Sequence, residues 1–168
     1  MKNQKPLPLL IFLLLSILLT GCRSSSYDAE AKYPGALTAT KMSEDIIKYF
    51  ENKDIESLKS MFCQTIQDTH NLDGQIAGAF EFIDGEIISY DEPKGSRGGG
   101  EITAEDGWVE MALRGRIENI ITDTERKYRI IFHSYAIYKE DENKVGITYI
   151  NIVLYDNDVN FVIGEVIR

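Results

Sequence analysis

Cysteine and histidine are scarce in this chain. It has two cysteines, Cys22 and Cys63, and two histidines, His70 and His133. No spacing among the four makes a zinc site. If Cys22 is consumed by processing at the N-terminus, Cys63 has no partner in its own chain, and the fold rests on no internal disulfide. Cys63 follows Ser60-Met61-Phe62, where a thiol acts as a small hydrophobe and no nearby base makes a thiolate. Also missing is an apolar run of the roughly twenty residues that a membrane-spanning helix needs. The longest, Leu9 to Leu19, is about half that length. Basic residues are outnumbered, 18 against 27 acidic ones, for a formal charge of −9. Such a surface repels the phosphates of nucleic acid, which is therefore excluded as an expected partner. Asp156-Asn157-Asp158-Val159-Asn160 begins like a calcium loop, but Phe161 stands where that loop requires glycine and Ile167 where it requires glutamate. It reads as a turn, and the sequence supplies no metal or cofactor motif.

What is present begins with a leader. Lys2 and Lys5 precede the apolar run Leu9 to Leu19, the charged head and greasy middle of a secretory signal. Leu19-Thr20-Gly21-Cys22 resembles a bacterial lipobox, which implies cleavage before Cys22 and acyl chains on its thiol. Each buried methylene contributes roughly 0.8 kcal/mol, and two or more chains make anchoring stable. The expected organisation is a signal peptide over 1–21, a lipidated N-terminus and polar tether over 22–36, and one domain over 37–168, held on the extracytoplasmic face of the cell membrane. Removing Lys2 and Lys5 with the leader leaves sixteen basic residues against twenty-seven acidic ones, a formal −11. By that average, anionic headgroups repel the domain.

Within the domain the hydrophobic rhythm changes once. Ala39, Met42, Ile46, Tyr49 and Phe50 share a helical face, Asp54 is placed to cap a second helix carrying Ile55, Leu58, Met61 and Phe62, and a third spans Leu72 to Ile83. Gly74 and Gly78 in that third helix imply close approach of another backbone, and Asp84-Gly85 ends it. From Glu86 onward the period is two. Glu86 to Tyr90 reads as a first strand, and Trp108 to Tyr155 as three long ones in a meander, with Val109, Met111, Leu113, Gly115 and Ile117 alternating against Glu110, Arg114, Arg116 and Glu118. Between them, Pro93, Gly95, Gly98, Gly99 and Gly100 read as a flexible flap. Gly98-Gly99-Gly100 is no phosphate loop, because no Lys-Ser or Lys-Thr pair ends it and no helix follows. Glu140 to Asn143 is a hairpin turn. Ile147, Tyr149 and Val153 should share one face of the last long strand and Ile150, Ile152 and Leu154 the other, so both faces need cover. Either the tail Val159 to Ile167 folds back over the outer face or a second subunit packs there.

Ile46-Ile47-Lys48-Tyr49-Phe50-Glu51-Asn52-Lys53-Asp54 with Leu58, Met61 and Phe62 resembles the opening helix pair of the nuclear-transport-factor-two-like superfamily. Phe80 to Asp91 and Lys144-Val145-Gly146-Ile147 resemble uncharacterised Firmicute lipoproteins of that fold. The resemblance implies an α+β cone: N-terminal helices packed on a strongly curved antiparallel sheet, with a cavity at the wide end and, often in that superfamily, a dimer through the open sheet face. Tyr90, His133, Tyr135, Tyr149 and Asn151 are the strand residues that could line such a cavity, with no catalytic assignment among them. His70, in the polar run Gln67 to Asn71, reads as a solvated loop histidine. The expected function is a non-enzymatic, lipid-anchored module that binds a small ligand in its cavity or a protein on its sheet face. The alternative is a pocket hydrolase or isomerase using His133 as base.

Overall fold

The computed structural model describes residues 35–69 and 71–167. The leader, Cys22, nearly all of the tether and His70 lie outside the described residues.

Among the described residues four helices come first. Helix α1, Ala36–Asn52, buries Ala39, Ser43, Ile46, Ile47 and Phe50, with Met42 and Tyr49 half-buried at the margin of that stripe. Lys53 takes a left-handed conformation and ends it. Asp54 then caps helix α2, Ile55–Ser60, its carboxylate accepting from the Ser57 N–H at 3.0 Å, an interaction worth about 1 kcal/mol. Contrary to the helical spacing of Met61 and Phe62, α2 stops before them. Met61 and Cys63 instead trade backbone hydrogen bonds with Ile147 across the domain, at 2.8 and 2.9 Å. The polar run Gln67 to Asn71, expected as a loop, begins inside a short helix, α3, Gln64–Thr69, held by the fully buried Ile66. Helix α4, Leu72–Phe82, buries Leu72, Ile76, Ala79 and Phe80 as their spacing predicts. What approaches its Gly78 is a ring rather than a backbone: a Cβ there would lie 3.0 Å from Cζ of Phe161.

The remainder is an open, six-stranded antiparallel sheet. Its strands are β1 Ile87–Ser89, β2 Lys94–Thr103, β3 Gly107–Thr122, β4 Lys127–Tyr138, β5 Gly146–Leu154 and β6 Val159–Gly164. They lie in the order β1-β3-β4-β5-β6, with β2 also pairing with β3. Met111 and Ile130 sit in β3 and β4, as the period of two requires.

Three expectations for the sheet are corrected. The glycine-rich flap is strand β2, in register with β3 from Lys94 against Arg116 to Thr103 against Gly107. Its Gly95 is fitted to the packing: a Cβ there would collide with the backbone of Ala39 and Thr40 in α1. The tail does not fold over the outer face but adds β6 to the sheet edge, pairing with β5 from Val159 against Leu154 to Gly164 against Tyr149. Ile147 does not share a face with Tyr149 and Val153. His133 pairs with Tyr149 and Ser134 with Ile147, so Thr148 is an extra residue that flips the alternation and sends Ile147 into the core with Ile150 and Ile152.

That core fills the space between helices and sheet. Phe50, Leu58, Ile66, Ile76 and Phe80 from the helices meet Ile117, Tyr128, Ile130, Phe132 and Ile150 from the strands, all 8% exposed or less. Phe50 and Phe80 contact edge to face at 5.1 Å. Tyr128, fully buried, uses its hydroxyl to accept from the Asp84 N–H at 3.0 Å, fastening the end of α4 to the sheet.

Candidate functional site

Strand register decides which polar side chains meet. In β4 the even residues Tyr128, Ile130, Phe132 and Ser134 are buried, so Arg129, Ile131, His133 and Tyr135 stand on the opposite, outer face. The pairing of β2 through β6 then gives cross-strand rows on that face. One runs Ser96, Arg114, His133, Tyr149, Gly164; the next Lys94, Arg116, Ile131, Asn151, Val162; a third Arg129, Val153, Asn160. Lys127 and Tyr155 close the lower end.

His133, Tyr135, Tyr149 and Asn151 are therefore brought together, but on the outer face of the sheet and not in a cavity. Tyr90 lies apart, past the end of β1. Burial and the neighbouring Glu51 carboxylate of α1 raise its hydroxyl pKa. Between the end of α1, the end of α4 and β1 is a cleft of about 460 Å³ floored by Phe50, Phe80 and Ile83, and none of the five anticipated residues lines it. Two further clefts, of about 500 and 480 Å³, gather at Tyr138 and Lys139.

On the outer face, His133 stacks parallel to Tyr149 at 5.8 Å and meets Tyr135 edge-on at 5.0 Å. Its Nδ1 is 3.1 Å from the Thr148 hydroxyl. Burial and the Arg114 guanidinium lower its pKa. Thr148 and Arg114 make no general-base couple with it, since a base of that kind is usually oriented by a carboxylate. The Asn160 amide donates to Asn151 Oδ1 at 3.2 Å.

The cations are what sequence reading left out. Lys94, Arg114, Arg116, Lys127 and Arg129 all project from this face, and Lys94, Arg114, Arg116 and Lys127 are exposed. Beside them Glu118 accepts from the Tyr155 hydroxyl at 2.7 Å and stands 3.9 Å from Arg116. That hydrogen bond, with burial, raises the Tyr155 pKa. Lys127 and Arg129 lie over the Tyr155 ring at 5.1 and 5.7 Å, within cation–π range. Arg129 Nε is buried without a protein acceptor. At the opposite end the face turns acidic, with Glu101 directly across from Glu110. A net charge of −9 thus hides a strongly uneven surface. The signal was in the sequence as cations at every second residue, 114 with 116 and 127 with 129, but only the register shows that the pairs adjoin.

Residues 45–156 match the family described as a domain of unknown function, DUF5104. The chain belongs to the DUF5104 family. The matched stretch runs from within α1 to just past β5 and holds all five cations of the face, while β6 lies beyond it. No curated protein matches the chain. Among the described residues of this DUF5104 protein, no helix is long and apolar enough to cross a membrane, and no cluster of His, Cys, Asp or Glu is placed to hold a metal ion.

Proposed function

We propose that this DUF5104 protein is a lipid-anchored, extracytoplasmic binding module that acts through the outer face of its sheet and takes an anionic partner. The leader and Leu19-Thr20-Gly21-Cys22 support the anchor. The order of helices, a short strand and long antiparallel strands supports a nuclear-transport-factor-two-like cone, as do the bulges at Glu118-Asn119 and Thr148, because a bulge favours bending of the strand that carries it. The observation that carries the reading is the gathering of Lys94, Arg114, Arg116, Lys127 and Arg129 on one exposed face of an acidic chain, while the interior of the fold is packed. Clustered cations of one sign raise the local concentration of anions and speed their capture.

Titrating the full chain, in mild detergent, with dextran sulfate tests it. Binding should weaken steeply with salt and fall at least tenfold in R114E/R116E, whereas K48E on α1 leaves it unchanged. Equal binding by the three proteins would refute the assignment of the face.

A further inference from the structure

We propose that the anion met by this face is the headgroup plane of the bilayer that holds the anchor, an inference that rests on the anchored, anion-binding reading above. Three observations lead there.

The first is reach. The chain from Cys22 to Gly35 spans at most about 45 Å when extended. Gly35 packs against Met111 and Leu113 on the helical side of β3. Passing from there around to the outer face crosses the thickness of the sheet, roughly 10 Å, so the tether lets the face lie on the membrane. It also keeps the face in constant proximity to headgroups, so weak individual contacts suffice.

The second is shape. The cations occupy three neighbouring strands, β2, β3 and β4, and recur about 7 Å apart along β3 and β4. That is a two-dimensional field, matched by a plane of phosphates better than by a single linear polyanion. The third is the other half of the face. On β5 and β6 it presents no charge but Tyr149, Asn151, Asn160 and Val162, the last 44% exposed, with Tyr155 at 38% beside the basic end. Tyrosine and valine beside cations suit the boundary between headgroups and acyl chains. Glu44, Glu51 and Glu81 are carried on the helices α1 and α4, and their repulsion from an anionic surface favours the sheet-down orientation. Glu101 and Glu110 set the end of the docked area.

The test uses the full chain reconstituted into vesicles of phosphatidylcholine, with and without phosphatidylglycerol. Val162→Cys on the face and Lys48→Cys on α1 each carry a bimane; native Cys63, 1% exposed, stays unlabelled in the folded protein. A headgroup-level lipid quencher should dim the label at 162 roughly threefold more when phosphatidylglycerol is present, an effect lost at high salt and in R114E/R116E. The label at 48 should not respond. Asn160→Cys repeats the measurement should V162C not fold. Equal quenching at 162 in both lipids, with dextran sulfate still bound in detergent, overturns the headgroup assignment and leaves the anionic partner to be a soluble one. Loss of dextran sulfate binding as well brings down the reading of the face itself. A chain that leaves the vesicles with the detergent disproves the anchor, and with it this inference.

Discussion

His133 shows how little a residue type says before its neighbours are known. A histidine at the centre of a strand can be a pocket base; here its neighbours are two tyrosine rings, a threonine hydroxyl and a guanidinium. Burial and Arg114 lower its pKa from the ordinary value near 6.5. Below that value the unfolded chain binds a proton that the folded one resists, so folding stability should fall as the pH drops from neutrality. His133→Asn should flatten that fall without changing stability much at pH above 7, measured as urea midpoints at neutral and mildly acidic pH. An unchanged slope in the variant would remove His133 as the cause. Tyr128 makes a second test at this scale. Tyr128→Phe leaves the buried ring in place but orphans the Asp84 N–H, and should cost about 1–2 kcal/mol in denaturant titration.

At the scale of elements, what the sequence made legible was whatever depends on period alone. The faces of α1 and α4 and the existence of the three long strands follow from apolar spacing, and the Asp54 cap from a carboxylate set just ahead of a helical run. Three things broke that rule. Thr148 adds one residue to β5 and reverses the faces beyond it; nothing in Ile147-Thr148-Tyr149 marks the shift. Among the described side chains of helix α3 Ile66 is the one buried anchor, too little to show a period. Strand β2, Lys-Gly-Ser-Arg-Gly-Gly-Gly-Glu-Ile-Thr, has one apolar side chain, Ile102, and so no apolar alternation; its Gly95 answers to α1 packed against it, a tertiary demand. Of the site, the Tyr and His positions were legible as strand residues, but their sharing a face with five cations needed the register. The glycine account is testable within β2. Gly95→Ala drives a methyl into the backbone of α1 and should destabilise by about 1–3 kcal/mol. Gly98→Ala meets only the flexible stem of Arg114, 2.8 Å from its Cγ, and should cost much less. Equal losses would mean that β2 needs glycine for its backbone and not for the helix.

For the molecule as a whole, the question is why the apolar tail joins the sheet edge instead of covering the outer face. Folding over that face would bury Arg114 and Arg116, exposed cations whose desolvation costs several kcal/mol apiece without partners. At the edge, β6 completes the backbone hydrogen bonds of β5 and places Ile163, fully buried, and the ring of Phe161 beneath α4. Phe161 rests 5.7 Å from the Phe82 ring. The tail thus belongs to the core although it lies past the residues that match the family. Ending the chain at Asp158 removes the fully buried Ile163, about 1.5–3 kcal/mol, and the partly buried Phe161, a smaller amount, against a total stability of roughly 5–15 kcal/mol for a domain. The truncated protein should therefore unfold at much lower urea and with a broadened transition, and Phe161→Ala in the full chain should fall between it and the native protein. If truncation leaves the midpoint where it was, β6 is an accessory, and the cooperative unit of the molecule stops at β5.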